Sequence, residues 1–352
     1  MNNENIFTQF KNTIRNIETN RTIKESEIQV LEKKSGLDYR SINTLLKIIQ
    51  KDNVAEELLY MFTDPAYYTL PNMIKAYKNG FEDIIPYKFY ENEDFVNTLN
   101  ITKIPDNFLK GNRNIKQFNI LPNITYIGNK AFEGCEQLAI SILPGNITYI
   151  GHEAFKDCKS LRLMVLPPTV KYVGVGAFKN CSNLQKIVFP SNLHVIEEET
   201  FNDCESLTDI TLNKTISVGK KAFSGCDALE SLNTTFIKIE EEAFRNCVLL
   251  KTVKIATSYV AKRAFMGCKN LESITFETHC PDIIKEDAFV GCNKLKTIKM
   301  NDYMYNLYSI DGYDEILNNI EIIYDAIQGY KTTCEYYSSK TVTDTINKMI
   351  NQ

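Results

Sequence analysis

Apolar positions through the middle of the chain recur on a fixed frame of 21 to 24 residues. A Phe stands at 132, 155, 178, 201, 223, 244, 265 and 289, preceded by Ala in seven cases and by Thr200 in the eighth. Three residues after each Phe comes a Cys, and three after each Cys a Leu (Leu138, Leu161, Leu184, Leu207, Leu229, Leu250, Leu271, Leu295). An aliphatic residue usually follows at Leu+3 and another apolar one at Leu+5, as in Leu184, Ile187 and Phe189. The early copies then end on Pro144, Pro167 and Pro190. The unit reads A-F-x-x-C-x-x-L-x-x-I-x-L-P, a turn, and I-G. A degenerate copy precedes the eight, with Phe108, Ile115, Phe118, Ile120 and Pro122.

This pattern predicts a short strand with one buried face from Leu to Leu+5, because apolar and polar positions alternate there. A unit this short cannot bury its own apolar side. It must stack on the next copy, so the array grows in one dimension. The I-G-x-x-A-F segment is the return path, with Phe filling the centre of each coil. Two residues before each Phe stand Lys130, Glu153, Gly176, Glu199, Lys221, Glu242, Arg263 and Asp287, whose sign alternates from Glu199 onward. Registered stacking predicts a ladder of ion pairs between coils at this position.

Ten cysteines change the picture less than their number suggests. Eight belong to the repeat (Cys135, Cys158, Cys181, Cys204, Cys226, Cys247, Cys268, Cys292), only Cys280 and Cys334 stand outside it, and no CxxC occurs. In-register stacking holds neighbouring Cβ atoms near the strand spacing of about 4.8 Å, wider than the roughly 3.8 Å a disulfide needs. The expectation is a column of buried, reduced thiols beside backbone carbonyls of the neighbouring coil.

The motif resembles the BspA-like leucine-rich repeat family, the Treponema pallidum type, over residues 104 to 300. That resemblance implies an α+β repeat protein: a curved leucine-rich-repeat solenoid of about nine coils, with a parallel sheet on one face. It also implies a protein partner, since members of the family are often surface proteins that bind host or partner proteins. The expected organisation is a helical N-terminal region over residues 1–99, the solenoid over 100–300 and a C-terminal cap over 301–352.

The flanks lack the motif. Ser26 to Lys34 and Ser41 to Lys51 carry helical periodicity, and the join KKSGLDYRSINTLL resembles a helix-turn-helix with Gly36 at its turn. A DNA-binding regulator with a repeat sensor is therefore the alternative function. Glu32 stands where such motifs take a small residue, so an ordinary helical hairpin is the favoured reading. Residues 54 to 98 are rich in Tyr and Phe, which suits packing of an adjoining cap. Asp314 to Ile327 reads as an amphipathic strand or helix, followed by a final helix from Thr341 to Ile350.

Charge and chemistry then narrow the function. Forty Lys and Arg against 44 Asp and Glu leave a net charge of −4, which argues against whole-chain capture of nucleic acid or anionic membrane. No apolar stretch is long enough for a membrane span, and no export signal is visible at the start, so a cytoplasmic location is expected. Three His residues, no GxxxxGK[ST], GxSxG or HExxH, and carboxylate pairs that read as solvated charge runs leave no catalytic, metal or cofactor residues to nominate. An enzyme is not expected. The partner-binding candidates are the outward positions Leu+2 and Leu+4 of the early coils: Ile140, Ile142, Leu163, Val165, Lys186 and Val188. Later coils place Asp209 and Thr211, Ser231 and Asn233, Thr252 and Lys254, Ser273 and Thr275, then Thr297 and Lys299 there. The face should pass from an apolar patch to a hydroxyl-rich surface. The alternatives for the patch are cover by the chain's own aromatic-rich N-terminal region or, if it is open, contact with a protein partner or a second copy, as a homo-oligomer.

Overall fold

Each repeat closes into one coil because its turn residues bend the chain and its Phe, Cys and Leu fill the inside. In the computed structural model, the described residues are 69–78, 85–212, 215–257, 259–277, 283–285, 287–300 and 321–324. The first 68 residues, with the helix-turn-helix candidate, lie outside them, as do His279, Cys280 and the predicted helix at Thr341 to Ile350. Contacts divide the chain into two units, Met1–Asn192 and Leu193–Gln352.

In the first unit, helices α1 (Leu70–Lys78) and α2 (Glu93–Thr98) precede the coils. Asn92 caps α2 by accepting the Phe95 N–H at 2.8 Å, which satisfies one of the donors a helix start leaves open. Phe95 packs edge-on to Tyr77, Phe89 and Tyr90, and Tyr90 lies 4.8 Å from Phe108 of the degenerate coil. Strands β1 (Lys103–Ile104), β2 (Tyr126–Ile127), β3 (Tyr149–Ile150) and β5 (Tyr172–Val173) form one parallel ladder in the order β1-β2-β3-β5. Strands β4 (Leu163–Val165) and β6 (Lys186–Val188) form part of a second, with Met164 opposite Ile187. The stretch expected only as a return path thus carries its own ladder.

The second unit contains β7 (Val195–Ile196), β8 (Asp209–Thr211), β9 (Thr215–Val218), β10 (Ser231–Ile239), β11 (Thr252–Ile255), β12 (Tyr259–Val260), β13 (Ser273–Phe276), β14 (Ile283–Ile284), β15 (Thr297–Met300) and β16 (Glu321–Tyr324). Seven of these form one parallel sheet in the order β16-β15-β13-β11-β10-β9-β7, and β12 pairs with β14. Strand β10 joins what are two ladders in the first unit. It runs through nine residues and pairs with both β9 and β11, its register shifting between Ser231 and Thr235 and again between Phe236 and Lys238. The strand-or-helix alternative at Asp314 to Ile327 resolves as strand at β16, in register with β15.

The core is the repeat itself. Phe132, Phe155, Phe178, Phe201, Phe223, Phe244 and Phe265 are fully buried. Their rings form near-parallel stacks at 5.2 to 5.5 Å from 132 to 178, and at 5.3 to 5.6 Å from 201 to 289. Seven of the eight thiols, beginning with Cys135 on the Leu109 carbonyl, find the kind of carbonyl foreseen for them. Cys158 Sγ donates to the Phe132 carbonyl oxygen at 3.1 Å, and that oxygen also accepts the Cys135 N–H. The contact recurs at Cys181, Cys226, Cys247, Cys268 and Cys292. All eight cysteines are free and buried. Burial pushes the thiols up, to about 12 at Cys135 and well above the ordinary value at Cys158 and Cys226.

Two residues per coil sit in the left-handed region. One directly precedes each Cys and is always Gly, Asn or Asp, the types that adopt it most readily. The other is the charge-ladder position, with φ of 57° at Lys130, 51° at Glu153, 54° at Lys221, 56° at Glu242 and 55° at Arg263. A long side chain bears a backbone cost there, and the next coil offsets it: the Glu153 N–H reaches the Val175 carbonyl at 2.8 Å. The predicted ladder is present. Lys130 pairs with Glu153 at 2.9 Å, Lys221 and Arg263 each reach Glu242 at 3.7 Å, and Arg263 meets Asp287 at 3.4 Å.

Candidate protein-interaction face

The face is made by the outward side chains of β4, β6 and the bridged residue before them. Met164 and Ile187 point inward and are fully buried. Alternation therefore turns Leu163, Val165, Lys186 and Val188 outward. Lys186 is exposed, and the other three are half-buried. Ile142 bridges Val165, and Val165 pairs with Val188. These three form an apolar row across successive coils, with Ile142 71% exposed at its end.

Ile140 does not join them. It is buried, only 8% exposed, while Ser141 faces solvent. The reason lies in the inward slot at Leu+3, which holds Met164 and Ile187 in the next two coils but Ser141 here. Burying that hydroxyl without a partner would cost about 1–3 kcal/mol, so the chain turns Ile140 inward instead. No regular strand forms at this point, and an isolated bridge at Ile142 takes its place.

The corresponding face of the second unit is polar. Asp209, Thr211, Ser231, Thr252 and Lys254 are exposed, and Ser273 and Thr275 half-buried. Thr252 pairs with Ser273 and Ser273 with Thr297, giving a row of hydroxyl side chains. Lys254 is 3.5 Å from Glu277, which also accepts from the Thr235 hydroxyl.

A second surface feature went unread in the sequence. Tyr126, Tyr149 and Tyr172 occupy matching positions in the other ladder of the first unit. Their rings stack at 4.4 and 4.9 Å, and the Lys103 ammonium sits 5.2 Å from the Tyr126 centroid. The segments I-T-Y-I-G, I-T-Y-I-G and V-K-Y-V-G carried that information. Beside them, His152 Nδ1 accepts the Val175 N–H at 3.1 Å, which gives this histidine a structural partner. Among the described residues no helix is long and apolar enough to cross a membrane.

The BspA type leucine rich repeat region matches in six copies over residues 102–230 and 217–328. The chain belongs to this family. No curated protein matches it. Among solved structures, a leucine-rich repeat protein from Bacteroides ovatus is 25% identical with a TM-score of 0.45, the alignment covering 64% of this chain and 67% of that one. The T. pallidum leucine-rich repeat protein is 26% identical with a TM-score of 0.32, covering 37% and 72%. A leucine-rich cell surface protein from Faecalibacterium prausnitzii is 20% identical with a TM-score of 0.32, covering 65% and 84%. By its family repeats and its parallel ladders, this BspA-type chain is a parallel-strand solenoid, a repeat architecture suited to protein interaction.

Proposed function

We propose that this BspA-type protein is a recognition or adhesion module, without enzymatic activity, that docks a partner protein on the sheet face of its first unit. The observation that carries this reading is the registered apolar row Ile142–Val165–Val188, flanked by Leu163 and Lys186. Contiguous exposed apolar surface of a few hundred Å² marks interaction sites more often than chance scatter does. The side chains responsible are not the ones that hold the coil together, since Met164 and Ile187 fill the core beneath them.

The test compares two double variants of the full-length chain in capture of partner protein from native lysate. Leu163→Asp with Val165→Asp should lose the captured protein and keep its unfolding free energy within about 1 kcal/mol of the parent. Thr252→Asp with Thr275→Asp, on the polar face, should keep it. Loss in both variants, or in neither, would overturn the assignment to this face.

A further inference from the structure

Between the degenerate coil and the first full one lies a groove of about 460 Å³, lined by Phe118, Ile120, Ile140, Ile142 and Leu143, with Glu93 of α2 at its rim. The ladder is interrupted here. The Ala139 N–H donates to the Lys116 carbonyl at 2.9 Å, but among the described residues no backbone bond then joins 117–121 to 140–143. The direction of the free groups follows from the bridge on the other side. Ile142 pairs in parallel with Val165, whose N–H donates to the Ser141 carbonyl at 2.9 Å. In a parallel pairing the partner bonds the residues flanking the bridged one, so the bridged residue's own N–H and C=O point the opposite way. Those of Ile142 face the groove, and neither has a backbone partner among the described residues. On the facing coil, the Asn119 N–H is already taken by Glu91 Oε1 at 2.7 Å.

We propose that this groove receives an extended apolar segment of a partner protein, which pairs as an added strand with the Ile142 backbone. The inference rests on the binding-module reading and specifies the form of the partner. The free N–H and C=O of Ile142 select extended backbone, and the exposed apolar part of the lining, chiefly the Ile142 side chain, selects apolar side chains at alternate positions of the incoming strand. Glu93 makes no ion pair among the described residues, so its carboxylate favours a basic residue at one end of that segment.

The probe is an array of peptides of about seven residues with Val, Ile, Leu or Phe alternating with Thr and Lys at one end, offered to the full-length chain. The best binder is then remade with a fluorophore, with and without N-methylation of every second amide, and followed by anisotropy. N-methylation and Ile142→Asp should each weaken binding about tenfold or more, and Glu93→Gln about threefold at low salt. Ile142 is largely exposed, so circular dichroism of Ile142→Asp should match the parent. Absence of any binder, or binding indifferent to N-methylation or to Ile142→Asp, would overturn the proposal. So would a full-length dimer that Ile142→Asp converts to monomer in sedimentation, since the occupant would then be a second copy. If the peptide arm fails while the Leu163 and Val165 double variant still loses its captured partner, strand pairing is wrong and the docking face stands.

Discussion

The two units share their core and differ in how the chain travels from one ladder to the other. In the first unit, Cys135, Cys158 and Cys181 are 23 residues apart, and six residues (166–171), with Pro167 and Pro168, separate β4 from β5. In the second, the spacing falls to 22 and then 21 between Cys204 and Cys268, where no Pro follows Leu+5, and returns to 24 at Cys292, where six residues (277–282) with Pro281 separate β13 from β14. Three residues (256–258) separate β11 from β12, and none separates the two halves of β10. A connection without Pro can stay extended and hydrogen-bonded, so shortening the repeat straightens the corner and merges two ladders. The inside of the coil is therefore a constraint on side chains, while its outline depends on connection length. Surface chemistry follows neither: the outward positions are free to be apolar in one unit and hydroxyl-rich in the other.

The sharpest test of a common core is removal of its central ring in each unit. Phe178→Ala and Phe244→Ala should each cost about 3–5 kcal/mol, because both rings are fully buried and stacked on a neighbour. Urea unfolding measures the cost. Thiol labelling sharpens it, since none of the eight repeat cysteines should react in the native parent, whereas Phe178→Ala should open Cys181 to reagent first. A cost at Phe244 several-fold below that at Phe178 would break the claim that the units share one core.

Much of this could be read from residue types, and the gaps have physical reasons. Phe, Cys and Leu recur because only those shapes fill the coil, so the repeat, the thiol contacts and the ion-pair ladder followed from spacing alone. Ile140 was assigned by counting from Leu138. Counting presumes that Leu+3 is apolar, and Ser141 was the warning that it is not. The left-handed residues before each Cys were visible as an unbroken series of Gly, Asn and Asp. Those at Lys130, Glu153 and Lys221 were not, because such side chains do not favour that conformation and only the stacked neighbour holds them there. The broken ladder beside Ile142 depends on where two backbones part, which residue types do not record.

A second contrast concerns close approach. Four residues before the Phe, the first unit has Gly128, Gly151 and Gly174, where the second has Gly219 but also Glu240 and Ala261. A Cβ at Gly151 would lie 2.6 Å from Asn129 N and 2.6 Å from Gly128 C, both backbone atoms that cannot step aside. Gly151→Ala should therefore cost about 1–3 kcal/mol, while Ala261→Gly should cost less than about 1 kcal/mol. Equal and small costs in urea unfolding would show that coils of the first unit spread as readily as those of the second.

The ladder differs too. It is interrupted by Gly176 in the first unit and runs from Lys221 to Asp287 in the second. Glu242 is only 8% exposed at its side chain and meets Lys221, Arg245 and Arg263. Glu242→Gln should cost about 1–2 kcal/mol, above the 0.2–1 kcal/mol of an exposed pair and below that of a fully buried one, because its cations keep contact with water. High salt should shrink the loss.

The smallest expected effect separates the same ladder by pH. Burial pushes Glu153 up, but hydrogen bonds from Lys156 and Lys130 outweigh it and hold the carboxyl at about 2, below an ordinary 4.5. Both ion pairs are short, at 2.8 and 2.9 Å, yet all three side chains remain partly in water. A carboxyl whose folded value lies below its unfolded one binds more protons when unfolded. Its stabilising contribution is thus complete above about 4.5 and is lost as the pH falls towards 2. Glu153→Gln should accordingly lie below the parent in stability at pH 7 by a margin typical of exposed pairs, and the two curves should converge between those pH values. Thermal unfolding in steps from pH 6 to pH 2.5 measures the gap. A gap that stays constant would mean that Glu153 contributes through packing of its stem rather than through its charge, and that the first unit's ladder sets register without electrostatic help.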